Sequence, residues 1–319
     1  MGVFVFLPLV LPLTALPIAR LAELHLHPRS AARLLTGIGA VMAVCSTLCL
    51  GLLGVIGTAQ IPGNPLPDSW SNPAVRDVVP FHEIVGFTAI ALLGVIAVAC
   101  AVTVGRHLRV RSRARQALAA VPPGRDIAVL PDEAPYAYAL PGRSGRCGRI
   151  VVSTAMLAGL ADDECRALVA HERAHLAHRH HRILFATQLA GRVNPFLRPL
   201  RRAAAYSTER WADEEAAQAV GDRRLTARAV ANAALLSHRS GRPGPAAPAG
   251  LAAFAAPGPV PRRVAALLGP VPAAGVWPPA HSPAGLAAMV AAAGTAASAL
   301  SALNAAVALL LVLKAATPL

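Results

Sequence analysis

Four long runs of the chain are almost free of charge, and the remaining sequence lies between them. Residues 1–19, 34–59, 84–105 and 284–313 are each long enough, as helices, to cross about 30 Å of hydrocarbon. The first holds Pro8, Pro12 and Pro17 and is therefore expected to be kinked. No basic stretch precedes it, which argues against a cleaved signal peptide. Between the third and fourth runs the pattern changes to short alternations and helical spacings. Residues 127–131, 136–140 and 149–153 read as strands, with Gly142, Gly145 and Gly148 marking the turn before the last. A helix capped by Asp162 or Asp163 is predicted to continue to about Leu189, with Leu160, Leu168, Leu176 and Ile183 on its apolar face. Two more are predicted over about 200–220, closed by Gly221, and about 223–238. From Gly241 to Pro261 the residues are mostly Gly, Pro and Ala, the composition of a connector, and a second Pro-rich stretch over 270–283 leads into the last run.

The predicted architecture is a mainly α integral membrane protein. About four transmembrane helices carry an α+β domain inserted between the third and the fourth. The expected divisions are a three-span membrane region over 1–105, a basic juxtamembrane linker over 106–125, a domain over 126–270 with a flexible connector at 240–262, and a linker with the C-terminal transmembrane helix over 271–319.

Composition supports the membrane. The chain has 319 residues, of which 55% are hydrophobic and only 14% charged, a balance foreign to a single soluble domain. A formal net charge of +14 would suit a nucleic-acid binder, but its distribution does not. Arg106, Arg109, Arg111, Arg113 and Arg115 crowd directly after a span, where anionic headgroups attract them, so the lipid bilayer and not nucleic acid is the expected partner. Arg20, Arg29 and Arg33 make the first loop basic too, whereas the loop over 60–83 has Arg76 against Asp68, Asp77 and Glu83. Basic loops inside give a multi-pass cell-membrane protein with both termini outside and 106–283 in the cytoplasm. Cys45, Cys49, Cys100, Cys147 and Cys165 form no C-x-x-C pair, and packing is the expected role of all five. Gly294, Ala297 and Ser301 would let the last span pack closely on another helix, and Asn304 could bond across such a contact. None of this sets an oligomeric state.

The chemistry sits in His171-Glu172-Arg173-Ala174-His175, an H-E-x-x-H pentapeptide within a helical stretch. Positions i and i+4 share a helix face, so two neutral imidazoles converge as zinc requires, with the carboxylate between them close enough to act on water. Such a site needs a third protein ligand. Downstream, Glu209-Arg210-Trp211-Ala212-Asp213 reads E-x-x-A-D and again puts two carboxylates on one face. One can ligate, and the other can hold a ligand imidazole by its second N–H. The bland alternative is an acidic surface helix, since Glu214 and Glu215 follow. His178, His180 and His181 read as a solvated helix end complementing the dipole rather than as a second metal site.

Residues of about 126–270 resemble the catalytic domain of HtpX-type and CAAX-prenyl-protease-type membrane zinc metallopeptidases, and equally that of BlaR/MecR-type transducer peptidases. The likeness rests on Ala137-Tyr138-Ala139-Leu140-Pro141-Gly142, on Arg149-Ile150-Val151-Val152-Ser153, on the segment from Leu168 to His175, on Glu209 to Asp213, and on the closing Pro261-Arg262-Arg263-Val264-Ala265-Ala266-Leu267-Leu268. It implies a gluzincin-type fold and one zinc ion per chain, held by His171, His175 and Glu209. It also implies Glu172 as general base and Asp213 as support for a ligand. Many relatives carry His-Pro before the closing arginine, where this chain has Ala256-Pro257-Gly258-Pro259. Arg149 to Ser153 is the candidate edge strand for pairing with an extended substrate, by the resemblance and by the logic of strand addition, against a plain structural hairpin. Tyr206, His238 and Arg263 are donors for the oxyanion by residue type alone.

The implied function is a membrane-anchored zinc endopeptidase acting on cytoplasmic or membrane-proximal proteins, in signal transduction ahead of quality control. Its rivals are a metal-binding sensor that does not cleave, against which an intact Glu172 weighs, and a channel, against which the position of the histidines outside the apolar runs weighs. With Leu319 just past the last span, no extracellular drug-binding domain is expected, and antibiotic sensing is not carried over.

Overall fold

The computed structural model describes residues 2–76, 79, 81–119, 121, 126–142, 147–239, 260–272, 279 and 281–317. The apolar runs form helices. The first is broken, as its prolines dictate: α1 (Leu7–Val10) and α2 (Ala15–His25) alternate with 3-10 turns at Gly2–Val5 and Leu11–Thr14. Pro8 and Pro12 each lie in the first turn of a segment, where a missing N–H leaves no bond unmade. Then come α3 (Pro28–Thr58), the short α4 (Pro73–Arg76) and α5 (His82–Ala117). Helix α5 does not stop at the predicted boundary. Its arginine-rich end stays helical to Ala117, so that part of the expected linker is an extension of the span.

The strands are β1 (Ile127–Leu130), β2 (Ala137–Leu140) and β3 (Arg149–Ser153), in the order β1-β3-β2. β3 is parallel to β1 and antiparallel to β2, with Ala139 opposite Ile150. This corrects the expectation for Arg149, Ile150, Val151, Val152 and Ser153. They form the central strand, and a strand paired on both sides has no ladder left for a substrate. The edges belong to β1 and β2.

After the sheet run α6 (Thr154–Gly159), α7 (Asp162–Ala177), α8 (His180–Val193), α9 (Arg198–Val220), α10 (Arg223–Arg239), α11 (Val260–Leu268) and α12 (Pro283–Ala316). The long helix expected from Asp162 to Leu189 is two, broken at His178–Arg179, where Arg179 takes a left-handed φ of 53°. Asp162 and Asp163 lie inside the first turn of α7. The reach back is made by Glu164, whose Oε2 accepts from Ala161 N–H at 3.3 Å. α9 ends at Gly221, whose φ of 75° suits glycine. The connector expected at 240–262 lies outside the described residues up to 259, and α11 begins at Val260.

Two packing features position the site. A core of Ala137, Ile150, Val152, Met156, Leu168, Ala229, Val230 and Leu267 ties α7, α10 and α11 to the sheet. A second core joins the α8–α9 turn to the membrane helices: Leu197, Leu200 and Ala203 pack among Ala15 and Ala19 of α2 and Leu35, Ile38 and Met42 of α3. In that turn Asn194 Nδ2 donates to Ser46 Oγ at 3.2 Å, and Ser46 donates to the carbonyl of Pro8 at 2.9 Å. The domain is thus packed along α3. By length and hydropathy the candidate membrane spans are Leu7–His25, Pro28–Thr58, His82–Ala117 and Ala288–Ala316. In α12 the small residues Ala291, Ser298, Ser301, Ala302 and Ala305 pack inward, while Ala297 and Asn304 are exposed. Cys147 is exposed too, against the packing role expected of it.

Candidate active site

Helix α7 presents His171 and His175 one turn apart on its buried face, with Nε2 atoms 3.1 Å from each other. Helix α9 crosses it and brings Glu209, whose Oε2 lies 3.6 Å from His171 Nε2 and whose Oε1 lies 3.6 Å from His175 Nε2. One ligand atom from each of the three residues falls within 4.8 Å of the others. Ligand atoms at the corners of a tetrahedron with bonds of 2.0–2.1 Å stand about 3.3 Å apart, so the spacing suits zinc.

The hydrogen bonds behind the ligands make the same demand. His171 Nδ1 lies 3.0 Å from Asp213 Oδ1, and a carboxylate there accepts a hydrogen bond from Nδ1–H, which keeps the proton on Nδ1 and leaves Nε2 as a lone pair. His175 Nδ1 lies 3.0 Å from His180 Nδ1. With the proton of that contact on His175, its Nε2 is a lone pair as well. Two imidazole lone pairs and a carboxylate then face one another, and a cation relieves the arrangement.

Without a metal a proton does that work. Burial disfavours charge on His171, but hydrogen bonds and the charges of Asp213 and Glu209 outweigh it and raise its pKa to about 9. His175, equally buried, is held well below its ordinary value. Arg263, from α11, closes the back of the site. Its Nε and Nη2 donate to Asp213 at 2.8 and 2.6 Å, and its Nη1 lies 3.3 Å from Glu209. Both carboxyls are held below their ordinary values by Arg263 and the histidines, against the effect of burial. As a buried fork on two carboxylates, Arg263 is a structural clamp rather than the free donor its residue type suggested. Tyr206, another such candidate, lies under the guanidinium of Arg262 at 4.3 Å.

Glu172 is buried on α7, where no side chain among the described residues hydrogen-bonds its carboxylate and the backbone of Ala139 approaches it. Burial pushes its carboxyl up to about 7, against the pull of His171, Arg263 and the backbone of Ala139. Glu172 and His175 open onto a cavity of about 450 Å³, which Ala139 of β2 also lines.

His180 is the residue the sequence did not disclose. It was expected on a solvated helix end; it is fully buried, and burial lowers its pKa to about 3. On a straight helix, position i+5 points away from position i. The turn at Arg179 folds His180 back onto His175, their rings 4.8 Å apart at 89°. Trp211 supports it, with its ring centroid 4.5 Å from His180 and 4.5 Å from a stacked His178. The guanidinium carbons of Arg29 and Arg33, at the start of α3, stand 5.5 and 5.2 Å from the Trp211 ring centroid.

Comparison with known families adds one finding: residues 106–193 match the family model for peptidase family M48. Neither curated proteins nor solved structures give a match. The matched stretch includes His171, Glu172 and His175 but stops before Glu209 and Asp213, which the fold itself brings to the site. The stretch that carries α7 and most of the cavity lining is therefore similar to peptidase family M48.

Proposed function

We propose that the protein is a membrane-anchored zinc endopeptidase of gluzincin type, with its active site at the cytoplasmic face and membrane-proximal proteins as substrates. The observation that carries the reading is the convergence of three acceptor side chains beside a buried Glu172 that opens onto a cavity. His171, His175 and Glu209 would hold one zinc ion. When bound there, zinc supplies a Lewis acid that polarises the scissile carbonyl and makes water acidic.

The chain supplies the rest. Glu172, with a carboxyl poised near neutrality, takes a proton from water and returns it to the leaving amine. Asp213 and His180 hold the two imidazoles in the ligating tautomer. Arg263 keeps Asp213 and Glu209 ionised in a buried place. Strand β2, with Ala139 at the cavity, has the free edge suited to an extended substrate, in place of the central β3. Four candidate spans with the peptidase segment before the last support a signalling role over quality control.

Turnover of casein or of the chain itself by detergent-purified protein tests the reading. Wild type should cleave and Glu172→Gln should lose at least about 100-fold in rate, the lower end of what a general base contributes. Equal cleavage by the two would remove Glu172 from the chemistry.

A further inference from the structure

The wall of the cavity opposite the metal ligands comes from the membrane helix α5. Thr103, Arg106, Val110 and Arg113 follow one another at steps of three and four residues, so they share one face, and Arg109 borders it. All of them line the cavity into which Glu172 and His175 open. His107 stacks on Phe185 of α8 with ring centroids 4.3 Å apart, which fixes this face against the domain. Arg106, Arg109 and Arg113 are exposed to the cavity and its mouth, and among the described residues none pairs with a carboxylate. Among the described residues Glu172 is the single carboxylate in the lining.

The charges are thus one-sided. Three guanidiniums face a chamber whose other charged member is the reacting carboxylate, and a bound zinc ion would add to the positive potential. A positive cleft with low-dielectric walls concentrates anions and orients them on entry. From Arg106 to Arg113 the helix rises about 10 Å, the length of about three residues of extended peptide. A strand laid along β2 would pass that wall.

We infer that the α5 face of Arg106, Arg109 and Arg113 is a substrate subsite that selects peptides with acidic side chains within about three residues of the scissile bond. The inference rests on the peptidase reading above. An arginine ladder just beyond an apolar run also suits anionic headgroups, and lipid occupancy is an outcome that the test separates.

Binding decides it, with Glu172→Gln protein so that nothing is cleaved. Fluorescent peptides identical except for Glu, Gln or Lys flanking the cleaved bond are titrated in neutral detergent and in nanodiscs with and without anionic lipid. Each partly exposed pair adds little, so the three arginines together should favour Glu over Gln by roughly three- to tenfold, less at high salt. The preference should vanish when Arg106, Arg109 and Arg113 are all changed to Gln, and Arg109→Glu alone should move it toward Lys. Equal binding of the three peptides would overturn the inference, as would a preference untouched by the arginine changes. A preference seen in detergent and abolished by anionic lipid would also overturn it, giving the arginines to the bilayer. Failure of the peptidase reading has a separate signature: no peptide of the set is turned over by zinc-loaded wild type, whatever the binding order.

Discussion

At the scale of residues, the state of the site depends on which atoms carry protons. His171 has its pKa raised to about 9, by Asp213 and Glu209 against burial, so the metal-free site holds a proton at neutral pH. A metal must displace it. Zinc loading at pH 7.5 should therefore release about one proton per chain, and apparent affinity should weaken as pH falls. Calorimetry in two buffers of different ionisation enthalpy measures the release; the absence of any proton release would contradict the assignment. The stability sign runs with it. A raised histidine pKa stabilises the metal-free chain fully below about pH 6.5, the unfolded value, and that contribution fades as pH rises through about 9. His180 offers a second test. His180→Ala leaves His175 Nδ1 without its partner and should lower zinc affinity by about 10–100-fold, as the loss of a supporting hydrogen bond to a ligand does, while the chain stays folded. Chelator competition reads the affinity, and unchanged affinity would reduce His180 to packing.

That His171 and His175 share a face was legible in the sequence because i and i+4 is a local relation that any helix satisfies, and the pairing of Glu209 with Asp213 was legible for the same reason. The partners of those residues were not. Arg263 meets Asp213 across 50 positions, and His180 reaches His175 only because Arg179 breaks the helix. No spacing rule encodes a turn of that kind in a run of helix-compatible residues.

At the scale of elements, long apolar helices and strands were readable from runs of apolar residues, and the order of the strands was not. Strand order depends on which surfaces the rest of the domain buries, and α7 covers the sheet so that β2 is left as the edge beside the site. The contact between α3 and α5 was equally hidden. A Cβ at Gly57 would stand 2.6 Å from the carbonyl carbon of Gly86, and one at Gly86 would stand 2.5 Å from Cα of Gly57. Glycine at both positions lets the two backbones touch. Gly86→Ala should force them apart and cost about 1–3 kcal/mol, the usual penalty of overpacking, read from thermal unfolding in detergent. Alanine tolerated at no cost would mean the helices do not meet there.

At the scale of the whole molecule, the segment that carries the site leans on the long apolar helices. Leu197, Leu200 and Ala203 are buried against α2 and α3, and Asn194 bonds to Ser46. A fragment starting after α5 and ending before α12 should therefore expose this apolar face and self-associate, whereas the full chain in detergent should not. Light scattering on the two preparations makes the comparison, and a monodisperse fragment would show the packing to be dispensable. The same arrangement places Arg29 and Arg33 of α3 over Trp211, which touches His180. Movement of α3 and order at His175 are thereby physically connected, through the contacts of Arg29, Arg33, Trp211 and His180 rather than through a flexible tether.

The most direct test of the central claim is zinc content per chain, by elemental analysis of detergent-purified protein. Wild type and Glu172→Gln should each carry about one zinc ion, since Glu172 is not a ligand, and His175→Ala and Glu209→Ala should carry almost none. Zinc undiminished in the two ligand variants, or missing from wild type, would contradict the site described for His171, His175 and Glu209.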